Sequence, residues 1–575
     1  MTHIESSRRE RALASRDGVG DADRTESTES TEPTESTEPP EAREQGAPTR
    51  PTEPRRDWLA GTPWSRSDLL VAGLVGVAVM VLAYVFRSII VPTDPWHYVR
   101  AAMHFPEDSW VPLGYTRYGI ILASMPPAFV FRNAQATYYF WPLLSAGVLS
   151  GAVYLLGRRW WGRLAGLVAV VLLVSNTVVF YNLSRGYPDI MSMAIFTLAI
   201  VVALVARDRE AWDRWTITLV VVVGFLLGWG FETRETSMLA WPLIAVILWR
   251  RGRLVRTAVF LLLPLAFWAA VDIGISAIAY GDPLLKLHVL SGTDISATKT
   301  ATGELANGNL VNQPRLTYFT FIPTMAWAMA GGPAMVVIGV VAALGIFVRN
   351  GGIRLMAWWF LGVYTLTVLA AGGLDPAHPR GRLDIARYWI PFVPAESLVV
   401  AGIAALATAW VVRRLASAGA PRVVGRVLPA LVAVLVLAVP VYEGARYATT
   451  GPASTAFAVG GGDALEELRD HLDQQDFKTT KIWTDWETAR ILPAYQRDFF
   501  GGDKVWEGRP VSLTGKDAQP VSGDYVLLFR PGSRTCGFCL TALRPWTVRN
   551  PSGPPSSWEP VFESEARNLT LYRVR

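Results

Sequence analysis

The sequence contains few cysteines, histidines and lysines. Its 575 residues include two cysteines and six histidines, and lysine accounts for only six of the 54 basic residues. Two thiols are too few for a cysteine-based zinc site, so they indicate at most one disulfide. Because lysine is scarce, the net charge of +6 is an excess of arginine. The positions of these arginines show whether the charge belongs to a nucleic-acid-binding surface or to a membrane topology.

Long apolar runs dominate the chain. Hydrophobic residues make up 51% of it, and the mean hydropathy is +0.27, whereas a soluble domain rarely exceeds about 45–50% apolar residues. Arginine-rich loops alternate with carboxylate-bearing loops between these runs. The arginine clusters are Arg158 to Arg163, Arg207 to Arg214, Arg250 to Arg256, Arg349 with Arg354, and Arg413 to Arg426.

This alternation predicts a topology. Arginine and lysine are retained on the cytoplasmic side during insertion, so the arginine loops face the cytoplasm and the carboxylate loops face outward. The positive charge therefore serves topology, and we expect no nucleic-acid partner. We predict a multi-pass plasma-membrane protein with its N-terminus in the cytoplasm and its C-terminus outside.

Hydropathy predicts eleven spans, since about 20 apolar residues cross a bilayer. The predicted spans are centred in 69–88, 138–157, 164–182, 190–206, 215–231, 237–249, 257–278, 331–348, 355–372, 388–412 and 427–444. The apolar segment Tyr115–Phe131 is interrupted by Arg117 and two prolines. If it crossed, every later arginine loop would move outside, so we place it as an amphipathic element in the outer interface.

The chain divides into three predicted parts. Residues 1–62 include TESTESTEPTESTEPPE, which has no apolar face to bury and predicts a disordered cytoplasmic tail. Residues 63–445 form the polytopic α-helical membrane domain. Residues 446–575 have short apolar runs and frequent turns, which predict a small extracytoplasmic α/β domain. In that domain Cys536 and Cys539 are candidates for a disulfide.

Four groups of ionisable residues lie in the predicted outer loops. Ionisable residues near a membrane face are costly and usually functional. The groups are Asp94, His97 and Tyr98; Arg185 and Asp189 in SRGYPDIM; Glu232, Arg234 and Glu235 in FETRETS; and Arg382, Asp384, Arg387 and Tyr388 in GRLDIARYWIPFVP. An interfacial salt bridge would explain any one of them alone. Four on the same face indicate a site.

The motifs in these loops, and their order along the chain, resemble those of a known protein superfamily. Asp94 with Tyr98, SRGYPD, YGDPL and ARYWIPFVP occur in the order found in the GT-C superfamily of polyprenyl-phosphate-dependent glycosyltransferases. Over residues 65–445 the chain resembles the protein O-mannosyltransferase and aminoarabinose-transferase type, with actinobacterial-like features. Many members have two adjacent acids in the first loop, whereas here Pro95 follows Asp94. Glu107 or Asp108 could supply the second carboxylate.

The resemblance implies an inverting glycosyltransferase with a polyprenyl-phosphate sugar donor and an extracytoplasmic acceptor. Mannose, arabinofuranose and glucose donors are all compatible, as are a cell-envelope glycan, a lipid or a protein as acceptor. For such a reaction Asp94 is the candidate catalytic base. Arg387 is the first candidate for the donor phosphate, because its planar fork suits phosphate oxygens. The candidate substrate-binding residues are Arg387, Tyr388, Arg234, Glu235, Asp189, Arg185, Lys286, His288 and Tyr98.

Three alternatives stay open. The outer histidines have carboxylates nearby, which leaves a divalent metal open as a cofactor, although no ligand spacing is diagnostic. A transporter or flippase of lipid-linked sugars would carry charged or broken-helix sites at mid-membrane, often in two related halves, and the sequence has no such repeat. A non-catalytic membrane scaffold would not explain four charged loops on one side.

Overall fold

The computed structural model consists mainly of helices. It describes residues 58–104, 117–250, 252–292, 312–379, 381–419, 421–449, 461–475, 477, 481–515, 518–532 and 535–575. The predicted tail up to residue 57 and the alternative acids Glu107 and Asp108 lie outside this described part.

Nineteen α-helices are described. They are α1 (Arg66–Val85), α2 (Asp94–Met103), α3 (Tyr118–Phe131), α4 (Gln135–Trp161), α5 (Arg163–Ser175), α6 (Thr177–Asn182), α7 (Pro188–Asp208), α8 (Arg214–Thr233), α9 (Trp241–Leu248), α10 (Leu254–Tyr280), α11 (Leu285–Gly292), α12 (Arg315–Ala328), α13 (Gly332–Leu344), α14 (Gly351–Val368), α15 (Val393–Ser417), α16 (Arg422–Thr449), α17 (Gly462–Gln474), α18 (Trp486–Ile491) and α19 (Gly537–Arg549). Short 3₁₀ helices at Glu235–Ala240 and Ala386–Phe392 precede α9 and α15.

Eight helices within the described ranges are long and apolar enough to cross a membrane, so the chain is a multi-pass membrane protein. They are Arg66–Val85, Gln135–Trp161, Pro188–Asp208, Arg214–Thr233, Leu254–Tyr280, Gly351–Gly373, Ala386–Ser417 and Val423–Thr449. Each coincides with a predicted span. The other three predicted spans fall on the shorter apolar helices Arg163–Ser175, Glu235–Leu248 and Gly332–Phe347.

Ion pairs hold the first long helix in place. Ser65 caps α1, its hydroxyl accepts from the Asp68 amide, and the Asp68 carboxylate accepts from the Ser65 amide. This reciprocal arrangement satisfies two amides that the helix itself leaves unpaired. Asp68 is fully buried and lies 2.7 Å from Arg158 and 2.8 Å from Arg163. The start of α1 is thereby joined to the junction between α4 and α5.

The segment over Tyr115–Phe131 is not amphipathic as predicted. Its described part forms α3, which is apolar on all sides and contains Pro126 and Pro127. One side is buried, while Phe129 and Val130 at its C-terminal end are 89% and 66% exposed. The helix therefore packs into the protein and also presents apolar side chains at its surface.

A five-stranded sheet follows the last long helix. Its strands are β1 (Lys481–Thr484), β2 (Arg509–Ser512), β3 (Tyr525–Phe529), β4 (Trp558–Glu563) and β5 (Leu569–Val574). The order is β2-β1-β3-β5-β4, with β1 parallel to both neighbours and β5 antiparallel to both of its neighbours. Parallel pairing requires crossover connections, and α18 lies in the one between β1 and β2. Cys536 and Cys539 form a buried disulfide at the start of α19.

The sheet and the helices share a hydrophobic core. Leu465 of α17, Tyr495 and Leu571 of β5 pack in one buried cluster with Ile90 and Trp96. Residues 88–91, which include Ile89 and Ile90 of this cluster, are buried. Tyr139 donates to the Ser88 carbonyl (2.5 Å), and the Val91 amide donates to Tyr138 (3.2 Å). The segment that leads into α2 is thus fixed on both sides.

Candidate active site

Two helix starts bring the first carboxylates together. Asp94 is the first residue of α2, and Asp189 lies in the first turn of α7, where a helix dipole favours negative charge. Gly186 makes the approach possible, since it has φ +69° and an added Cβ would lie 3.2 Å from Pro95 and 3.1 Å from the Tyr138 ring. A larger residue at position 186 would separate the segment before α7 from the first turn of α2.

Arg387 lies between the two carboxylates. Its Nη2 is 3.9 Å from Asp94 Oδ2, and its Nε is 3.8 Å from Asp189 Oδ2. Both separations exceed a hydrogen bond of about 2.7–3.2 Å, although they are short enough for attraction between charges. The guanidinium also stacks on Tyr187, 3.8 Å from the ring centroid. Arg387 is therefore positioned by charge and stacking, while its donors stay available for an oxygen ligand.

Arg234 completes the centre of the cluster. Its Nε lies 3.2 Å from Asp189 Oδ1, and its guanidinium packs 4.3 Å from the Tyr388 ring centroid. Asp189 is 1% exposed, yet neither of its oxygens accepts a hydrogen bond from any residue within the described ranges. Buried polar atoms are normally paired. The unfilled atoms between Asp189 and the two arginines indicate a site that takes up water or a ligand.

Arg117 forms the side of the cluster nearest α3. It donates to the Tyr98 hydroxyl and lies 3.8 Å from Glu235. Burial opposes its charge, but Tyr98 and Glu235 hold the pKa of Arg117 above its ordinary value. Burial also raises the pKa of Tyr98 above its ordinary value. Three arginines and three carboxylates balance one another in this cluster, which holds Asp94, Asp189, Glu235, Arg117, Arg234 and Arg387.

A second charged group lies beside the first. Lys286 of α11 donates to Glu232 at the end of α8 and lies 3.4 Å from Asp272 of α10. The Lys286 side chain is 5% exposed. Because the Lys286 ammonium is already paired with two carboxylates, we do not expect it to bind the donor phosphate. Glu232 and Asp272 of this group line a cavity of about 260 Å³ together with Trp241 and Trp268.

Replacing Lys286 should therefore reduce stability. In Lys286→Met, Glu232 and Asp272 would lose their partner, and an unpaired buried charge typically costs about 3–5 kcal/mol. Thermal unfolding in detergent measures this loss. The control is His288→Gln on the same helix, whose ring pairs with Asp282 at the surface and is 60% exposed. Equal melting temperatures for the two variants would show that the Lys286 group does not stabilise the fold.

Two predicted site residues lie apart from these groups. Arg185 donates to the Tyr181 hydroxyl and stacks on its ring, 3.5 Å from the centroid, although only four residues separate it from Asp189. His288 lies 2.8 Å from Asp282 at the surface. Within the described ranges, no three histidine, cysteine, aspartate or glutamate residues lie close enough to hold a metal ion.

Arg117 and Tyr187 are the residues that sequence reasoning missed. Arg117 stood out only as an interruption of an apolar segment, and that interruption was the available signal, since a charge inside an apolar run is costly unless paired. Tyr187 precedes Asp189 in SRGYPD, but its ring acquires a role only where it meets Arg387.

Known proteins share features with this chain. Residues 128–273, about a quarter of the chain, match the family described as dolichyl-phosphate-mannose-protein mannosyltransferase. This range contains Asp189, Arg234 and Glu235, and it excludes Asp94 and Arg387. A stretch of 142 residues is 28% identical to the undecaprenyl-diphosphatase BcrC of Bacillus subtilis (strain 168) and covers 23% of this chain and 68% of that protein.

The fold matches that of a solved structure. The crystal structure of ArnT from Cupriavidus metallidurans bound to undecaprenyl phosphate superposes with a TM-score of 0.52 at 13% identity, over 89% of this chain and 99% of that chain. Its apo form gives a TM-score of 0.50 at 14% identity, with the same coverage. The family match and the fold confirm the resemblance to the GT-C superfamily. They support an enzyme of the polyprenyl-phosphate-dependent glycosyltransferase class.

Proposed function

We propose that the protein transfers a sugar from a polyprenyl phosphate to a hydroxyl group of an extracytoplasmic acceptor, with inversion at the anomeric carbon. The observation that carries this proposal is Arg387, an arginine held between Asp94 and Asp189 at distances that leave its donors unfilled. The acceptor would be a cell-envelope glycan, a lipid or a protein.

Asp94 is the proposed base. It is the most exposed carboxylate of the cluster, with a side chain 32% exposed, whereas Asp189 is closed off by two arginines. A base must reach the proton that it removes, and an accessible carboxylate beside the phosphate site meets that condition. Asp189 instead positions Arg234 and Arg387.

The donor phosphate is assigned to Arg387, with Arg234 behind it. Arginine binds phosphate through parallel N–H donors. Trp389 and Phe392, which follow Arg387 in the same 3₁₀ helix, line an apolar cavity of about 220 Å³ that extends to α12, α13 and α14. An arginine on the same short helix as the lining of an apolar cavity suits a phosphate attached to an isoprenoid chain.

The transfer then proceeds in one displacement. The acceptor oxygen attacks the anomeric carbon while its proton passes to the Asp94 carboxylate. The bond from the anomeric carbon to the phosphate oxygen breaks, and polyprenyl phosphate leaves with the electron pair. Arg387 stabilises the charge that grows on the leaving phosphate, and such preorganised charge is often the largest catalytic contribution. Attack opposite the leaving group inverts the anomeric centre.

We further propose eleven crossings, with the N-terminus in the cytoplasm, residues 63–445 as the membrane domain and residues 446–575 outside. The eight long helices and three shorter apolar helices support this count. The arginine loops support the orientation. Both charged groups then face outward, and α3 lies in the outer interface.

Reporter fusions test this topology. Fusions after Arg163, Arg209 and Arg253 should report cytoplasm, and a fusion after Tyr447 should report the exterior, because the arginine loops alternate with the site loops. The paired reporters are alkaline phosphatase, which is active outside, and a fluorescent protein that folds inside. A cytoplasmic signal at Tyr447 would contradict the span count.

Direct donor binding tests the proposed function. Purified protein is titrated with mannosyl, arabinofuranosyl and glucosyl polyprenyl phosphates, with free polyprenyl phosphate as competitor. We expect saturable binding of at least one sugar donor that free polyprenyl phosphate displaces. Absence of binding by folded protein would refute the proposal. Release of inorganic phosphate from undecaprenyl diphosphate, the activity in the name of the Bacillus relative, would indicate a phosphatase instead.

A further inference from the structure

A tight turn connects the sheet-bearing segment to the ends of two membrane-spanning helices. The turn comprises Asp498–Asp503, and its backbone reverses through Gly501 and Gly502, which have φ +114° and +92°. The Gly501 amide donates to the Asp498 carbonyl (3.0 Å). We call this turn the FFGG turn, after Phe499, Phe500 and the two glycines.

Phe499 packs the turn against the end of α1 and the start of α4. Its ring lies edge-on to Tyr84 in the last turn of α1, with 5.4 Å between centroids, and stacks on Tyr139 near the start of α4 at 5.9 Å. The Phe499 carbonyl accepts from the Ala136 amide (2.8 Å). A 20-residue helix is about as long as the bilayer core is thick. The last turn of α1 and the first turn of α4 therefore mark the membrane surface, and the turn lies there too.

Phe500 extends beyond this contact and is 73% exposed. The centroid of its ring lies 6.2 Å from that of Phe131, and the Phe131 centroid lies 6.5 Å from that of Phe140. Phe129 and Val130, which precede Phe131 in α3, are 89% and 66% exposed. These side chains form one apolar patch that continues into the exposed face of α1, where Val81 and Val85 are 56% and 62% exposed. Arg132 adjoins the patch and is exposed.

We propose that this patch, made by Phe500 with Phe129, Val130 and Phe140, inserts into the membrane surface and holds the sheet-bearing segment against the lipid. The occupant is the bilayer itself, because the patch is continuous with helix faces that already meet lipid. Exposed apolar side chains such as phenylalanine bury at the boundary between headgroups and acyl chains, and an adjacent arginine can reach the headgroups. The inference depends on the helices crossing a membrane and is independent of the transfer reaction.

The contact also bears on the site. Phe499 stacks on Tyr139, whose hydroxyl donates to the Ser88 carbonyl in the buried segment that leads to Asp94. A turn anchored in lipid would therefore brace the Asp94 loop at a fixed distance from the membrane surface.

Spin labelling tests the proposal with the full-length protein in nanodiscs. Cys536 and Cys539 are buried in their disulfide, so a nitroxide can be directed to Phe500→Cys and, separately, to Phe129→Cys. The matched control is Val548→Cys on α19, a position 72% exposed and far along the chain from the patch. Collision of each nitroxide with oxygen, which partitions into lipid, is compared with collision with a water-soluble nickel complex.

We expect an oxygen-to-nickel collision ratio several-fold higher at positions 500 and 129 than at position 548. Position 129 carries the test if the Phe500 variant does not fold. A ratio at both patch positions equal to that at position 548 would place the patch in water and overturn the proposal. Donor binding measured on the same samples is a separate readout, so failure of one proposal does not imply failure of the other.

Discussion

Asp94→Asn should bind the donor normally and lose nearly all turnover. Asparagine keeps the shape of the side chain but accepts a proton very weakly, and removing a general base typically costs about 10²–10⁴-fold in rate. The side chain is partly exposed and lies 3.9 Å from Arg387, so the substitution leaves no buried charge unpaired. Sugar transfer and donor affinity are measured on the same preparation.

Asp375→Asn is the matched control for this variant. Asp375 is also an exposed aspartate next to a basic side chain, 3.1 Å from His378, but it makes no described contact with the cluster. Its variant should transfer sugar at the wild-type rate. If Asp94→Asn kept more than about a tenth of that rate, Asp94 would not be an essential base.

Arg387→Ala should weaken donor binding at least tenfold. A charge-assisted hydrogen bond in a buried site contributes about 1.5–3 kcal/mol, and every 1.4 kcal/mol is a factor of about ten in affinity. Asp189 keeps Arg234 as a partner at 3.2 Å, so the fold should persist. Arg387→Lys should restore only part of the affinity, because an ammonium lacks the fork geometry of a guanidinium.

Arg382→Ala is the control for the arginine series. Arg382 lies five residues earlier in the same motif, and its Nε donates to Asp384 at 3.0 Å. Loss of that pair should leave donor affinity unchanged. Titration with a polyprenyl-phosphate sugar distinguishes the variants. Unaltered affinity in Arg387→Ala would transfer the phosphate site to Arg234, since Lys286 is already held by two carboxylates.

Much of the helical architecture could be predicted from hydropathy, because the formation of a membrane-spanning helix depends on the residues of a single apolar run. A backbone in lipid must satisfy its own hydrogen bonds, so an apolar run of sufficient length becomes a helix. The presence of both strands and helices in the sheet-bearing segment was likewise predictable, from its short apolar runs and frequent turns. Their order in the sheet was not, because strand pairing depends on contacts between distant residues.

The sequence allowed many of the charged residues of the site to be predicted, but not which of them pair with one another. Asp94, Asp189 and Arg387 were recognisable as charges near a membrane face, and the structure brings them together. Nothing in the sequence pairs Arg117 with Glu235, which is 118 residues away, or Lys286 with Glu232 and Asp272. These pairs arise where α3, α8, α10 and α11 pack. Arg185 shows the converse, because it is close to Asp189 in sequence but stacks on Tyr181.

Release of polyprenyl phosphate by the purified protein in liposomes tests the proposed sugar transfer most directly. Each candidate sugar donor is supplied with a cell-envelope acceptor fraction, and the released lipid phosphate is followed with time. We expect acceptor-dependent release from one of the donors, with the anomeric configuration inverted in the product and the rate lost in Asp94→Asn. Folded protein that releases polyprenyl phosphate from none of the mannosyl, arabinofuranosyl and glucosyl donors would contradict the proposed transfer.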